Sequence, residues 1–200
     1  GTLLELKNLI FKRNTKIILS IEDLKFFYGN IIGIVGENGI GKSTLAKIIC
    51  GLYKENKGKI LKDDENLNIK SRLNESLLIM QEVNYQLFTD SVKDEIVLTS
   101  NIKDDYVLDT WLKDMELKNI SDRNPHTLSG GQKQRVIILS ALLSDKKILF
   151  FDEPTSGLDY RNMKIVAKNI KKVKEEDKLI LIISHDVEFL ESVCDKVIDF

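Results

Sequence analysis

The sequence predicts an α/β fold: a mostly parallel sheet flanked by helices, with an antiparallel β region at the N-terminus and an inserted α-helical subdomain. Three observations predict it. Short apolar runs alternate with helical patterns, the first 27 residues carry two strand patterns around a polar turn, and a central segment has helical periodicity alone. In such a sheet, ligands collect at the carboxyl ends of the strands.

The antiparallel region is predicted at Leu3–Phe11 and Ile17–Phe27, where apolar residues alternate or cluster around the polar turn Lys12–Thr15. Further strands are predicted from apolar runs at Ile31–Val35, Lys57–Leu61, Leu77–Met80, Ile148–Phe151, Leu179–Ile183 and Lys196–Phe200. Helices are predicted at Leu45–Cys50, Tyr160–Glu175 and Asp186–Val193, and the charged stretch Asp63–Arg72 is predicted to be irregular.

The central segment Ser91–Leu143 has apolar residues at helical intervals and no strong strand pattern. The sequence therefore predicts a helical subdomain at 82–145, inserted into an α/β core made of 1–81 and 146–200. The chain is also open to interpretation as a fragment of a longer or tandem protein.

The amino-acid composition bears on which kinds of partner the chain can bind. The chain has 30 Lys and Arg against 31 Asp and Glu, a net charge of −1, which provides no electrostatic basis for binding nucleic acid. No apolar run approaches the roughly 18 residues of a membrane-spanning helix, and no signal-peptide pattern opens the chain. We expect no nucleic-acid partner, and any membrane role to come through another subunit.

The stretch Gly36–Thr44 matches the pattern G-x-x-x-x-G-K-[ST] at every fixed position. It follows a predicted strand and opens a predicted helix, so successive backbone N–H groups and the helix dipole converge on one point. We expect several of its glycines to need a positive φ. Triphosphate binding is predicted for Gly36, Glu37, Asn38, Gly39, Gly41, Lys42, Ser43 and Thr44, with Lys42 at the β/γ-phosphates and Ser43 on Mg²⁺.

Two acids, Asp152 and Glu153, end the apolar run Ile148–Phe151. Carboxylates at that edge of the sheet predict an Mg²⁺-associated role for Asp152 and a general-base or water-orienting role for Glu153. The alternative is a strand capped by surface acids.

A second candidate anion site is the stretch Leu128–Arg135, which precedes an apolar helix. Ser129 is a predicted N-cap, and Gly130 and Gly131 leave the N–H groups of the first turn uncovered. Because the chain has a single lysine-bearing phosphate loop, this second helix start is predicted to serve another molecule's phosphate. The alternative is an ordinary cap and loop.

The residues Leu128–Gln132, Leu-Ser-Gly-Gly-Gln, resemble the signature motif of the ATP-binding cassette (ABC) ATPases. The other motifs of the family occur in order: Gly36–Ser43 resembles its Walker A loop, Gln81 its Q-loop glutamine, Ile148–Glu153 its Walker B strand, Ser156–Asp159 its D-loop and His185 its switch histidine. The resemblance covers nearly the whole chain and implies a P-loop NTPase core.

This resemblance implies a head-to-tail pair of ABC ATPase domains, identical or different, that hydrolyse ATP with Mg²⁺. ATP on one subunit's phosphate loop is closed over by the partner's Ser129, Gly130, Gly131 and Gln132. Catalytic roles are implied for Glu153, His185 and Gln81, with Gln81 also at Mg²⁺, His185 at the γ-phosphate and Asp159 between the two sites. The family stacks adenine on an aromatic residue whose position falls at Arg13, so either the Arg13 guanidinium or Phe11 is expected to take that role.

Two stretches, Met80–Phe88 and Leu158–Met163, resemble the ATPases of energy-coupling-factor (ECF) transporters, which import vitamins and transition metals. The resemblance implies a transmembrane subunit as partner, a location on the cytoplasmic face of the membrane, and docking of that subunit near Tyr85, Leu87 and Phe88. The alternatives are an ABC ATPase of another importer or exporter, and a soluble ABC protein without a transport role.

Overall fold

The computed structural model of the chain describes residues 1–80, 87–100 and 102–200. Its contacts form two compact units, the first consisting of Gly1–Leu78, Lys146–Asp152 and Lys174–Phe200, the second of Ile79–Asp145 and Glu153–Val173. In chain order the elements are β1 (Leu3–Arg13), β2 (Lys16–Phe27), β3 (Ile31–Val35), α1 (Gly39–Ile49), β4 (Lys57–Lys62), β5 (Glu65–Asn66), α2 (Ile69–Glu75), β6 (Ser76–Ile79), α3 (Val92–Thr99), α4 (Asp105–Asp114), α5 (Gly130–Leu142), β7 (Ile148–Asp152), α6 (Tyr160–Lys172), β8 (Leu179–Ile183), α7 (Val187–Val193) and β9 (Lys196–Asp199).

An antiparallel sheet in the order β2-β1-β4-β5 opens the chain. The predicted polar turn is present, with Asn14 in the left-handed region at φ 58° between β1 and β2. Leu4, Leu6 and Leu9 of β1 are fully buried. The spacing changes from two to three between Leu6 and Leu9 because the register shifts after Lys7, which returns the leucine side chains to the same core face.

The larger sheet has the order β6-β7-β8-β3-β9, and the pairs β3–β8, β3–β9 and β7–β8 are parallel. Every residue of β7 and β8 is buried, as continuous apolar strands covered on both faces should be. At the carboxyl end, Ile183 of β8 is level with Ile34 of β3 on one side and with Asp152 of β7 on the other. The segments that follow β3, β7 and β8 therefore all begin at the same edge of the sheet.

The second unit is mainly helical. Each of its α-helices places apolar side chains in the interior, among them the fully buried Ile96, Leu112, Leu139 and Ile170, so the helical periodicity predicted for Ser91–Leu143 is confirmed for the described residues. Among the residues that the model describes, no helix combines the length and apolarity needed to cross a membrane.

The prediction of an irregular Asp63–Arg72 is wrong, since this stretch contains β5 and the start of α2. The Asn68 side chain caps α2 by accepting from the Ser71 N–H at 2.9 Å. Arg72 is only 3 % exposed. It donates to the carbonyls of Leu67 and Ile48, at 2.9 and 2.8 Å, and to the Glu55 carboxylate at 2.9 Å. The hydrogen bond to Ile48 thus fastens α2 to the C-terminal end of α1, and the ion pair joins α2 to Glu55 in the segment that follows α1.

The predicted fold class is confirmed: a mostly parallel sheet with flanking helices, an N-terminal antiparallel sheet and a helical region. The helix predicted from Leu45 starts earlier, at Gly39, because the phosphate loop supplies its first turn. The predicted domain boundaries stay a prediction. The second compact unit includes Glu153–Val173, which we had assigned to the core, in addition to the described part of 82–145.

Candidate functional site

The phosphate loop, Gly36–Thr44, leaves β3 at Gly36. This residue has φ 144°, and a Cβ on it would lie 2.2 Å from the carbonyl oxygen of Phe200. Both the backbone angle and the close approach therefore require glycine. The expectation that several glycines of the loop have a positive φ is wrong. Of the loop's glycines only Gly36 has one, because Gly39 and Gly41 already belong to α1.

The first turn of α1 explains the remaining glycines. The Asn38 side chain caps the helix by accepting from the Gly41 N–H at 2.9 Å. A Cβ on Gly41 would lie 2.7 Å from the Asn38 amide nitrogen, whereas a Cβ on Gly39 would have no described atom within 4 Å. Packing thus accounts for Gly41. Gly39 borders open space, which leaves its backbone accessible to a ligand.

The two polar side chains of this turn face the interior of the first unit. Lys42 is 2 % exposed, and its Nζ donates to the Gly36 carbonyl oxygen. The Ser43 hydroxyl donates to Asp152 Oδ2 at 3.0 Å, although the two residues are 109 positions apart in the sequence. The row of strand ends thus brings together Lys42, Ser43 and Asp152.

A hydroxyl and a carboxylate oxygen in contact are a suitable donor set for Mg²⁺, which prefers hard oxygen ligands and completes its octahedron with waters and substrate phosphates. Ser43 and Asp152 therefore fit the predicted metal site. Gln81, the third predicted ligand, lies outside the described residues.

His185 occurs two positions after Ile183, at the carboxyl end of β8 and before α7. Its side chain is exposed, whereas the preceding Ser184 is buried and its hydroxyl accepts from the Asp186 N–H at 3.0 Å. Because β8 lies between β3 and β7, His185 follows the strand that separates the phosphate loop from Asp152.

The Arg13 side chain has a definite place. Its Nη2 donates to the Tyr53 hydroxyl at 3.0 Å and its guanidinium carbon lies 5.6 Å from the centre of the Tyr53 ring. On the same ring, Phe11 stacks at 5.3 Å with an interplanar angle of 4°. The hydrogen bond from Arg13 lowers the pKa of the Tyr53 phenol. Arg13 and Phe11, offered as alternatives by the sequence, thus belong to one cluster around Tyr53.

In the second unit, Ser129 caps α5 as predicted. Its hydroxyl accepts from the Gln132 N–H at 3.2 Å, and the Gln132 side chain accepts from the Ser129 N–H at 3.0 Å, a reciprocal capping box. Ser129 and Gly130 are exposed. A Cβ on Gly130 would meet no described atom within 4 Å, and one on Gly131 only the Leu158 side chain at 3.6 Å. Packing within the described residues does not require these glycines.

The segment that follows β7 also belongs to the second unit. Glu153 adopts φ 53°, an uncommon angle for a residue with a side chain and one that occurs preferentially at functional sites. Asp159 caps α6 by accepting from the Asn162 N–H at 2.8 Å. Glu153 and Asp159 are therefore fixed at the two ends of one short loop.

Four contact residues were not predicted. Tyr53 orients Arg13, and the Gln134, Arg135 and Asn162 side chains join α5 to the Glu153–Asp159 loop. A signal existed for two of them, because Gln134 and Arg135 end the stretch Leu128–Arg135 that contains the second anion site. Tyr53 and Asn162 have no local signal.

The ABC transporter family model matches residues 19–156 of the chain. A Treponema denticola protein described as an ABC transporter ATP-binding protein is 42% identical over 180 residues, which are 89% of this chain and 37% of that protein. The energy-coupling factor transporter ATP-binding protein EcfA1 of Mycoplasma mobile is 38% identical over 93% of this chain and 72% of its own length.

Among solved structures, cbiO1 from Clostridium perfringens, part of the ABC transporter complex cbiONQ, superposes with a TM-score of 0.80. It is 28% identical, over 98% of this chain and 83% of that one. The chain spans only 37% and 38% of the length of the two Treponema denticola relatives. Since the family model covers well over half of the sequence, the chain belongs to the ABC transporter family of ATP-binding proteins.

Proposed function

We propose that the chain is the nucleotide-binding domain of an ABC ATPase that hydrolyses ATP to drive a membrane transporter, of the ECF type that takes up a vitamin or a metal ion. The observation that carries the proposal is the contact between Ser43 and Asp152, at 3.0 Å. It joins the phosphate-loop helix to the carboxylate at the end of the buried strand β7, and those two oxygen donors suit a magnesium nucleotide. In this proposal 1–81 and 146–200 form the nucleotide-binding core and 82–145 the helical subdomain.

Each residue has a defined task. The N–H groups of the phosphate loop and the Lys42 ammonium bind the triphosphate, and Ser43, Asp152 and Gln81 hold Mg²⁺. Mg²⁺ held by these residues would supply positive charge to neutralise the phosphoryl oxygens. Glu153 accepts the proton of the attacking water or orients it. His185 donates a hydrogen bond to the γ-phosphate, and the Arg13–Tyr53 cluster binds the base.

The second anion site serves a partner. Ser129 and Gly130 are exposed at the positive end of a 13-residue helix, and packing does not account for the two glycines. A second ABC ATPase domain, identical or different, places its bound triphosphate against Ser129, Gly130, Gly131 and Gln132. A transmembrane subunit completes the assembly, which locates the chain on the cytoplasmic face of the membrane.

The ECF assignment is supported by the match to EcfA1 and by the superposition on cbiO1. The other relatives reported above are described only as ABC transporter ATP-binding proteins. An ATPase of another importer or exporter is therefore the principal alternative, and a soluble ABC protein is the second. Co-purification of the full-length protein with its membrane subunits separates the three: an ECF membrane component, a different transmembrane domain, or none.

The substitution Glu153→Gln tests the hydrolytic part of the proposal. It removes the base and preserves the shape, so we expect ATP binding to persist, dimers to accumulate with ATP, and hydrolysis to fall by about 10²–10⁴-fold. Phosphate release and size-exclusion chromatography measure the two effects. Glu176→Gln, an exposed acid of the first unit, is the matched control. Hydrolysis by Glu153→Gln at the rate of that control would remove Glu153 from the mechanism.

A further inference from the structure

The helix α5 contacts the Glu153–Asp159 loop at two points within the second unit. Near the beginning of the loop, the Gln134 side-chain amide donates to the carbonyl oxygen of Pro154 at 3.0 Å. Beyond the end of the loop, Arg135 Nη1 donates to Asn162 Oδ1. These donors are consecutive residues, and they lie about one and a half helical turns from the Ser129 cap.

Arg135 is a buried cation, 8 % exposed. Its other hydrogen bond goes to the Met115 carbonyl oxygen at 3.1 Å, so both of its described acceptors are neutral oxygens. Burial is the largest cause that lowers the pKa of the guanidinium; the Glu116 and Asp159 carboxylates raise it, and the Arg161 cation lowers it further. A buried charge held by neutral partners costs stability that an apolar residue would not. Its two hydrogen bonds connect Met115 to Asn162 through one planar guanidinium, a task that suits a rigid, forked donor.

That task is visible at Asn162. Its Oδ1 accepts from Arg135, while its Nδ2 and its backbone N–H both donate to Asp159 Oδ1, at 2.9 and 2.8 Å. Arg135 thus fixes the direction of the amide, and the amide fixes the Asp159 carboxylate. Because α5 carries Arg135, the first donor of this chain of hydrogen bonds, a displacement of α5 would act on Asn162 and through it on Asp159.

The other contact acts on the catalytic end of the loop. Pro154 directly follows Glu153, which has φ 53°, and a residue in the left-handed region persists only where its surroundings hold it. The Gln134 hydrogen bond to the Pro154 carbonyl is one such restraint. The two hydrogen bonds together connect α5 to both ends of the Glu153–Asp159 loop.

We propose that Gln134 and Arg135 are positioning residues that transmit the engagement of a partner's triphosphate at Ser129–Gly131 to Glu153 and Asp159 of the same subunit. The inference rests on the function proposed above and adds a direction of communication to it. When the α5 of one subunit binds the nucleotide held by its neighbour, Glu153 and Asp159 of that same subunit are positioned for hydrolysis. The two hydrolysis events are therefore coupled.

The test compares Gln134→Ala and Asn162→Ala with Lys133→Ala, a matched truncation on the same helix of a residue to which we assign no role. For the coupling variants we expect kcat to fall by about 2- to 30-fold and the Hill coefficient for ATP to approach one. The Kd for ATP, and ATP-driven dimer formation in a Glu153→Gln background, should match those of Lys133→Ala. Asn162→Ala is included because it removes the Arg135 contact without leaving a cavity at the buried arginine.

The outcomes separate the inference from the function on which it rests. If both coupling variants hydrolyse ATP with the rate and cooperativity of Lys133→Ala, the inference is overturned and the proposed function stands. If instead ATP-driven dimers are lost, Gln134 and Asn162 merely support the helix start, and the inference is again overturned. Failure of the unsubstituted chain to dimerise or hydrolyse ATP would overturn both.

Discussion

The helices α1 and α5 begin alike but differ in what surrounds their first turns. Each has a polar N-cap that accepts from the N–H three residues later, Asn38 from Gly41 and Ser129 from Gln132. In α1 the first turn also carries Lys42 and Ser43, which contact the Gly36 carbonyl and Asp152 of their own unit. In α5 the equivalent positions hold Lys133 and Gln134, which are half-buried, and the turn begins with the exposed Gly130.

The side chains around the first turn explain how one kind of helix N-terminus can support two roles. A helix N-terminus carries about half a positive charge, which stabilises an anion by about 0.3–1 kcal/mol at an exposed site. In α1, Lys42 is buried and Ser43 beside it contacts the Asp152 carboxylate, a donor pair for a metal, so this site can bind a triphosphate without help. The first turn of α5 supplies N–H groups, the Ser129 hydroxyl and the half-buried Lys133, without a metal-binding carboxylate among its described contacts, and it suits a phosphate that another molecule already holds.

The largest expected effect is on stability and concerns the C-terminal end of α1, where Arg72 contacts the Ile48 carbonyl. Arg72→Ala removes a buried guanidinium, leaving Glu55 and the Ile48 carbonyl without their partner. We expect the free energy of unfolding to fall by about 3–5 kcal/mol, measured by chemical denaturation. Arg123→Ala, which removes an exposed hydrogen bond to the Thr127 carbonyl, should change it by at most about 0.5–1 kcal/mol. Equal losses would show that burial does not distinguish the two arginines.

The second-largest expected effect is on ATP binding at the first turn of α1. Lys42→Ala removes the charge that binds the triphosphate, and we expect ATP binding to weaken by about 2–5 kcal/mol, a roughly 30- to 5,000-fold rise in Kd. Calorimetry measures it. Lys59→Ala removes the same charge from an exposed position on β4 and should leave the affinity unchanged. An unaltered Kd in Lys42→Ala would refute the assignment.

The corresponding change on α5 should spare binding. Ser129→Arg places a long cation on the exposed turn, so we expect hydrolysis to fall by about 10²-fold while ATP binding to the monomer persists. Mixed with Lys42→Ala, it should regain part of the activity, because the mixed dimer has one complete site. The α5 of the subunit that holds ATP there has no nucleotide to bind, so the rate should stay about 2- to 30-fold below that of the unsubstituted dimer. Thr110→Arg, an exposed position on α4, is the control. Weakened binding to the Ser129→Arg monomer would mean that α5 serves its own subunit.

The smallest effect concerns the base. Arg13→Ala removes the guanidinium over Tyr53, and we expect ATP affinity to fall about 2- to 5-fold, as for an exposed cation–π contact of about 0.5–1 kcal/mol. Because the Arg13 hydrogen bond lowers the Tyr53 pKa, the substitution should raise that pKa toward its ordinary value. Spectrophotometric titration checks the shift. A Tyr53 pKa that stays low would contradict the observed contact.

The fold class, the phosphate loop and the cap of α5 could all be predicted from the amino-acid sequence. These features rest on patterns of neighbouring residues: buried strands as continuous apolar runs, the spacing of Gly36–Thr44, and Ser129 three positions before Gln132. The start of α2 was missed although it has a local signal, the Asn68 cap with Ile69 and Leu73 one helical turn apart. Its charged surroundings concealed that pattern.

The contacts between side chains that are distant in the sequence could not be predicted and are known from the folded chain. Arg72 contacts Ile48 across 24 positions, Arg13 contacts Tyr53 across 40, and Arg135 contacts Asn162 across 27. No periodicity or spacing encodes these pairs, because each depends on how two separately formed elements pack. The same packing buries Arg72 and Arg135, two cations that composition alone would place at the surface.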